Sequence, residues 1–166
     1  EKIKIGDTIG VVAPSNPIIN DNVEEINRAK EIIENLGFKV KFSKNLFANT
    51  NGYSATAQEK AEDINEMFAD KEVKMIWCAK GGENSNSTFE YLDYELIKQN
   101  PKIICGYSDA TNYLEAIYTK TGLITYHHLE MIDLGRKSNK DFVSRLEQEE
   151  REAPSPARSE EDSAGY

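Results

Sequence analysis

The sequence predicts an α/β protein with a Rossmann-like, mostly parallel sheet and helices on both of its faces. Two observations predict this fold. Short apolar runs alternate along the chain with longer amphipathic segments, and this alternation is typical of a parallel sheet covered by helices. The chain also has 166 residues, which is enough for one domain with a substantial core.

The N-terminal part of the chain contains two predicted strands and two predicted helices. Residues 8–13 are apolar and stop at Pro14, as expected of a strand that ends in a loop. Residues 20–38 contain a helix that Gly37 ends, residues 38–43 alternate like a half-buried strand, and residues 54–70 form a second helix. The apolar faces of the helices consist of Val23, Ile26, Ala29, Ile33 and Leu36 in the first and Ile64, Met67 and Phe68 in the second.

The remaining predicted elements continue the alternation. An apolar strand runs straight into a glycine-rich loop, and a short helical stretch after that loop is closed by Pro101. A second apolar strand runs into a helix, and a last strand follows. In order, these elements are the strand 73–79, the helical stretch 87–101, the strand 102–107, the helix 109–122 and the strand 123–128.

Composition and charge exclude several classes of function. The net charge is −9 and no basic face stands out, which argues against a nucleic acid or an anionic membrane as partner. No apolar run approaches the roughly 20 residues of a membrane span, and the N-terminus lacks a signal-peptide layout, so we expect a cytoplasmic protein. Cys78 and Cys105 are expected to be buried, reduced thiols on neighbouring strands.

Three loops with polar or small residues follow three of the predicted strands. They are "APSNP" at 13–17, "KGGENSN" at 80–86 and "GYSDAT" at 106–111. In an open parallel sheet, ligands gather at the carboxyl ends of the strands. The sequence therefore predicts a site where these loops meet, without itself naming a reaction.

Ser108 lies between a predicted strand and a predicted helix and has two interpretations. Gly106 and Ala110 are the small residues at −2 and +2 that a nucleophile elbow requires. The helix N-terminus would bring positive potential to the serine oxygen, and the N–H of Asp109 is the natural first oxyanion donor. In the other interpretation, which this stretch alone favours, Ser108 is an ordinary helix N-cap.

The pair Gly81 and Gly82 follows the strand that contains Trp77. Such glycines let the backbone approach a ligand closely and expose N–H groups to an anion. The loop is neither G-x-G-x-x-G nor a Walker motif, and a plain turn explains it equally well. If the two strands are neighbours, one of these glycines would supply a second oxyanion N–H opposite Asp109.

A serine nucleophile needs a general base, usually a histidine that a carboxylate orients. The only histidines are His127 and His128, and their interpretation as polar residues at a strand end is favoured. The candidate carboxylates are Asp109, Glu130 and Asp133, but none has a spacing that demands a role.

Four stretches together resemble the LD-carboxypeptidase family of serine peptidases, particularly its microcin C immunity-type branch. They are residues 6–18, 51–86, 91–111 and 116–128. The resemblance implies that Ser108 is the nucleophile and that the N–H groups of Asp109, Gly81 and Gly82 form the oxyanion hole. It implies no metal and no cofactor. The substrate would be a small peptide or peptidyl-nucleotide: either the L,D bond before the terminal D-Ala of a murein tetrapeptide or the amide of a peptidyl- or aminoacyl-sulfamoyl adenylate.

The chain also departs from the family. Members are about twice as long, and their second domain supplies the catalytic His and the Glu that orients it. This chain has "YHHLEMIDLG" where a "YGP"-like stretch is expected. We therefore expect a nucleophile domain at 1–135, with a family-unrelated tail at 136–166 that is a short polar helix over 139–152 and disordered from Ala153.

Two functions from different classes follow. The first is a serine-type hydrolase whose base comes from a missing C-terminal domain, from a second copy in a homodimer, or from His127 or His128. The second is a non-catalytic half-domain that binds a ligand or another chain. A nucleotide-binding Rossmann protein is a weaker third interpretation, because no acidic ribose-binding residue follows the glycines at a fitting distance.

Overall fold

The computed structural model describes residues 2–139 and Ser144. Strands and helices alternate through most of this part of the chain, as the sequence predicts. The strands are β1 (Thr8–Val12), β2 (Lys39–Phe42), β3 (Val73–Cys78), β4 (Ile103–Gly106) and β5 (Tyr126–His127), and the α-helices are α1 (Asp21–Asn35), α2 (Ala57–Ala69), α3 (Tyr94–Gln99), α4 (Thr111–Thr121) and α5 (Met131–Gly135). Short 3₁₀ turns cover Ser85–Thr88, Ser108–Ala110 and Lys137–Asn139.

The five strands form one sheet in the order β2-β1-β3-β4-β5, and every neighbouring pair is parallel. The predicted parallel α/β fold is therefore confirmed. The chain leaves β1 toward one edge of the sheet and returns to β3 on the other side of β1, so β1 and β3 flank the topological switch point where ligands of such sheets bind. The loops after β1, β3 and β4 all emerge at this carboxyl edge.

Helices cover both faces of the sheet and bury two apolar cores. On one face, α2, α3 and α4 enclose a core that includes Phe68, Ile76 and Ile104. On the other face, α1 and α5 cover a core that includes Ile26 and Met131. The two cores hold the strands rigidly and so fix the positions of the loops at the carboxyl edge.

The structure corrects two predicted elements and leaves a third untested. The last strand is only Tyr126–His127, because residues 123–125 make no ladder pairing. The helical stretch 87–101 is a 3₁₀ turn followed by α3, which starts where the Asp93 side chain accepts a hydrogen bond from Leu96 N–H at 2.9 Å. The predicted tail, 136–166, lies outside the described residues apart from 136–139 and Ser144.

Helix α5 is an element that the sequence analysis did not assign. It packs against α1, where Arg28 Nε donates a 2.8 Å hydrogen bond to the Gly135 carbonyl oxygen. Asp133 stabilises the start of α5, because its Oδ2 accepts from Glu130 N–H at 3.1 Å, and Asp133 also pairs with Arg136 at 2.6 Å. The stretch after β5 is therefore part of the folded core.

Cys78 and Cys105 are buried and free, on the paired strands β3 and β4, as predicted. Burial raises the pKa of the Cys105 thiol to about 12 and that of Cys78 well above its ordinary value. Both thiols are thus inert residues of the core. Across residues 2–139 and Ser144, none of the helices combines the length and the apolar character that crossing a bilayer demands.

Replacing Gly135 with alanine is expected to destabilise the protein. A Cβ atom at this position would lie 1.7 Å from the Glu25 carbonyl oxygen, so the α1–α5 contact must open, at a cost of about 3 kcal/mol in the free energy of unfolding. Urea denaturation followed by circular dichroism measures this cost. The control is Gly122→Ala, where a Cβ meets open space but φ is +75°, with an expected cost of about 1 kcal/mol. Equal losses in both variants would contradict the prediction.

Candidate functional site

The three loops meet at the side chain of Asp109. Ser15, in the loop after β1, donates its hydroxyl to Asp109 Oδ2 at 2.6 Å. Ser85, in the glycine-rich loop after β3, donates its backbone N–H to the same oxygen at 2.8 Å and its hydroxyl to the Asp109 carbonyl oxygen at 2.5 Å. The predicted convergence of the loops is confirmed, and one carboxylate joins them.

Ser108 occupies the junction between β4 and the helix in a strained conformation. Its φ is +59°, which is in the left-handed region that costs an L-residue about 1–2 kcal/mol. An N-cap residue normally has extended backbone, and neither the 3₁₀ turn nor α4 is capped by a side-chain hydrogen bond. The side chain of Ser108 is exposed. The N-cap interpretation therefore does not fit, and the geometry is that of a strand–turn–helix elbow.

Small residues make this turn possible. A Cβ atom on Gly106 would lie 2.8 Å from Cys78 Cβ and 3.0 Å from Ala110 Cβ. There is thus no room for a side chain at 106, and the small side chain of Ala110 lies directly against that position. This packing agrees with the prediction that the turn requires small residues at 106 and 110, two positions before and two after Ser108.

Gly81 lies directly beside the serine turn. A Cβ on Gly81 would approach Ser108 Cβ to 3.1 Å and Glu130 Oε1 to 2.4 Å. Gly82 has φ +138°, and a Cβ there would overlap the carboxamide of Asn16, whose Cγ would be 2.1 Å away. Asn16 in turn accepts from Glu83 N–H at 3.2 Å and donates its N–H to the Gly81 carbonyl at 3.4 Å. The two glycines therefore allow a close approach of their loop to Ser108 and Asn16, and the φ of Gly82 is one that L-residues rarely adopt.

The amides of this region point to an anion site. Within residues 2–139, the N–H groups of Asp109 and Gly82 donate no hydrogen bond. The N–H of Gly81 lies close enough to the Glu130 carboxyl group to lower its pKa. Free backbone N–H groups at a helix start, beside an exposed hydroxyl, can stabilise the oxyanion of an acyl-transfer intermediate.

Glu130 is the buried carboxyl group of the site. It is only 3% exposed, and its Oε1 has no hydrogen-bond partner among the described residues. Burial raises its pKa, and Asp133 adds to the rise, whereas the Gly81 N–H, Arg136 and Lys80 oppose it. The sequence analysis named Glu130 among three possible carboxylates, but its burial beside Gly81 depends on α5, which was not predicted.

Lys60 is a site residue that the sequence analysis missed. It lies on α2 and is 2% exposed, with Nζ 3.4 Å from the Asn84 carbonyl oxygen and 5.2 Å from the centre of the Tyr53 ring. Burial lowers its pKa, and the negative charge of Asp109 opposes that change. A lysine among helical charges carries no sequence signal of burial, so only the fold reveals this one.

The two histidines lie at the edge of the site. His127 pairs with Gly106 in the β4–β5 ladder, and its ring meets the Tyr107 ring edge-on at 6.1 Å between centroids. His128 donates its N–H to the Gly106 carbonyl at 3.0 Å. Both are exposed, and the backbone contacts account for their positions without a catalytic role. Asp133 has a structural role at the start of α5, so it is not available as an orienting carboxylate.

The comparisons with known proteins all point to one family. The sequence model described as the LD-carboxypeptidase N-terminal domain matches residues 9–128. The putative carboxypeptidase YocD of Bacillus subtilis is 38% identical over 142 residues, which are 86% of this chain and 44% of that protein. The microcin C7 self-immunity protein MccF of Escherichia coli is 41% identical over 126 residues, 75% of this chain and 36% of that protein.

Solved structures show the same fold. An MccF-like protein from Bacillus anthracis superimposes with a TM-score of 0.79 at 38% identity, covering 87% of this chain and 44% of that one. MccF in complex with aspartyl sulfamoyl adenosine superimposes with a TM-score of 0.77 at 37% identity, covering 86% and 43%. The chain thus spans less than half the length of the curated relatives that it matches.

Replacing Glu130 with glutamine is expected to change how stability depends on pH. Because the pKa of Glu130 is raised in the folded protein, the folded state binds its proton more tightly than the unfolded state does. This contribution to stability is present at low pH and is lost as the pH rises from about 4.5, the ordinary value, through the raised folded-state pKa. Glutamine removes the dependence, so the variant gains stability relative to the parent as the pH rises.

Urea unfolding across the acidic to neutral range measures this difference. The control is Glu31→Gln on the exposed face of α1, which also removes one negative charge. If the difference between parent and Glu130→Gln shows no trend with pH beyond that of the control, the buried carboxyl group does not titrate as argued.

Proposed function

The chain belongs to the LD-carboxypeptidase family, and we propose that it is the nucleophile domain of a serine-type carboxypeptidase or amidase. One observation carries the proposal: Ser108 is held at φ +59° between β4 and the following helical turn, with Gly81 against it. A strained serine at such a junction, exposed and free of a capping bond, is typical of a nucleophile elbow.

The roles of the residues follow from this position. Ser108 Oγ attacks the carbonyl carbon of an amide while its proton passes to a base, and the carbonyl oxygen becomes an oxyanion. The N–H of Asp109 and an N–H of the pair Gly81 and Gly82 stabilise that oxyanion. The start of α4 adds positive potential on the same side. The amine then leaves with a proton from the base, and water hydrolyses the acyl-serine ester.

The base is proposed to come from outside residues 1–135. Neither exposed histidine is held by a carboxylate among the described residues, whereas a catalytic base needs such an orienting partner. Because the chain spans less than half the length of its relatives, a C-terminal domain is the favoured source of the histidine and its glutamate. A second copy of the chain in a homodimer is the other source.

The proposed substrate is a small peptide or a peptidyl-nucleotide. Two kinds of relative support it. A probable murein peptide carboxypeptidase of Bacillus subtilis is 42% identical over 123 residues, and solved MccF structures contain aspartyl sulfamoyl adenosine and glutamyl sulfamoyl guanosine. Both substrate types present an amide that an acyl-serine mechanism cleaves. We place the protein in the cytoplasm, in keeping with its two free, buried thiols.

The second candidate is a non-catalytic half-domain that keeps the glycine loop and the serine turn and binds a ligand or another chain. The coverage of less than half of each relative favours it. Unlike the hydrolase, such a half-domain would bind its ligand without turnover, and its affinity for the ligand would be unchanged in Ser108→Ala.

Incubation with a murein tetrapeptide and with aspartyl sulfamoyl adenosine, read by mass spectrometry, tests the hydrolase. With a relative's C-terminal half added to supply the base, we expect cleavage of one of them, and a loss of several orders of magnitude in rate in Ser108→Ala because the nucleophile is gone. The control variant is Ser138→Ala, which removes an exposed hydroxyl outside the three loops and leaves the rate unchanged.

Three results would distinguish the parts of the proposal. Cleavage that persists in Ser108→Ala would exclude Ser108 as the nucleophile. Absence of cleavage in a folded parent, restored when a relative's C-terminal half is added, would show that the base is external. Absence of cleavage even then, with binding intact, would favour the half-domain.

A further inference from the structure

We propose that Ser15 and Ser85 are positioning residues for the serine turn, and that they act through the carboxylate of Asp109. This inference rests on the proposed function, because it concerns the direction of the Asp109 N–H as an oxyanion donor. Neither serine is a catalytic residue, since each acts on Asp109 and not on the reacting atoms.

The contacts of Asp109 hold it at two points. Its Oδ2 accepts from the Ser15 hydroxyl at 2.6 Å and from Ser85 N–H at 2.8 Å, while its carbonyl oxygen accepts from the Ser85 hydroxyl at 2.5 Å. Asn112 adds a bond to Oδ1 at 2.9 Å from the first turn of α4. These bonds fix the Asp109 end of the peptide between Ser108 and Asp109. Thr111 N–H donates to the Ser108 carbonyl oxygen of that same peptide, so its plane has little freedom to rotate.

The two serines are themselves fixed and shielded from water. Both are 0% exposed, so water does not replace their hydrogen bonds. Ser15 is anchored by its carbonyl oxygen, which accepts from Ser54 N–H at 3.2 Å. Ser85 is anchored because its carbonyl oxygen accepts from the Thr88 hydroxyl at 2.7 Å. The position of Asp109 therefore depends on the positions of the two loops that contain Ser15 and Ser85.

Lys60 supplies the opposite charge for Asp109. It is buried on α2, beside the carbonyl oxygen of Asn84, one residue before Ser85. Hydrogen bonds to a charged acceptor are stronger than those to a neutral one. The arrangement thus links four segments of the chain to the residue that follows the nucleophile.

The hydrogen bonds of Ser15 and Ser85 to Asp109, which we call the clamp, matter because the serine turn is strained. A serine at φ +59° would relax if its neighbouring peptide rotated, and such a rotation would turn the Asp109 N–H away from the position of an oxyanion. Loss of the Ser15 hydroxyl removes one of the two donors to Oδ2. We therefore expect weaker oxyanion stabilisation with little change in the fold.

Adduct formation with phenylboronic acid on the full chain tests the clamp without an external base. Ser108 Oγ bonds to boron, the hydroxyl proton goes to solvent, and the tetrahedral boron carries the negative charge that an oxyanion would carry. We expect the affinity of Ser15→Ala to be about ten-fold weaker than that of the parent, measured by calorimetry well below both melting temperatures. The control, Ser43→Ala, removes another buried serine, outside the three loops, and keeps the parent's affinity. Equal affinities in the parent and Ser15→Ala would overturn the proposal.

Hydrogen exchange tests the clamp independently of whether Ser108 is the nucleophile. The N–H of Ala110 donates to the Tyr107 carbonyl at 3.2 Å, and its exchange should be about ten-fold faster in Ser15→Ala than in Ser43→Ala. If the parent forms no adduct, or Ser108→Ala forms the same one, the proposed nucleophile is wrong, and exchange alone decides the clamp. Unchanged exchange at Ala110 would then overturn it.

Discussion

The carboxylate of Asp109 is the interaction on which the candidate site depends. It takes hydrogen bonds from two different loops while its own residue belongs to a third. A carboxylate accepts several donors at once, and hydrogen bonds to a charged acceptor are worth about 1.5–3 kcal/mol each. These bonds exceed the cost of about 1–2 kcal/mol for the left-handed backbone at Ser108. The hydrogen bonds from the surrounding loops to Asp109 therefore stabilise the strained backbone of Ser108.

The sheet topology makes this bridge possible. Strands β1, β3 and β4 are consecutive in the sheet, so their carboxyl ends bring three loops that are distant in sequence next to each other. Ser15 and Asp109 are 94 residues apart along the chain and still form a 2.6 Å hydrogen bond. Each loop alone carries a weak motif. The three motifs indicate a site only together, because the parallel strands place their loops at the same edge of the sheet.

Local patterns predicted the features that depend on local physics. The strands, the long helices and the buried cysteines follow from apolar periodicity, and the small residues at 106 and 110 follow from the sterics of the turn. Helix α5 escaped prediction because it has five residues, too few for a helical period to be visible. The burial of Glu130 and Lys60 escaped prediction for a related reason. A charged residue is normally exposed, and only tertiary packing buries these two.

The proposed separation of nucleophile and base has a physical basis. The proposed oxyanion hole consists of backbone N–H groups that the sheet and the start of α4 already hold, so it would form when this part of the site folds. A histidine base must instead be oriented by a carboxylate and aimed at the serine hydroxyl. Here Glu130 is buried beside Gly81, whereas His127 and His128 are exposed, and their positions follow from backbone contacts with Gly106. In the proposed mechanism, the base and the carboxylate that orients it therefore come from a second segment.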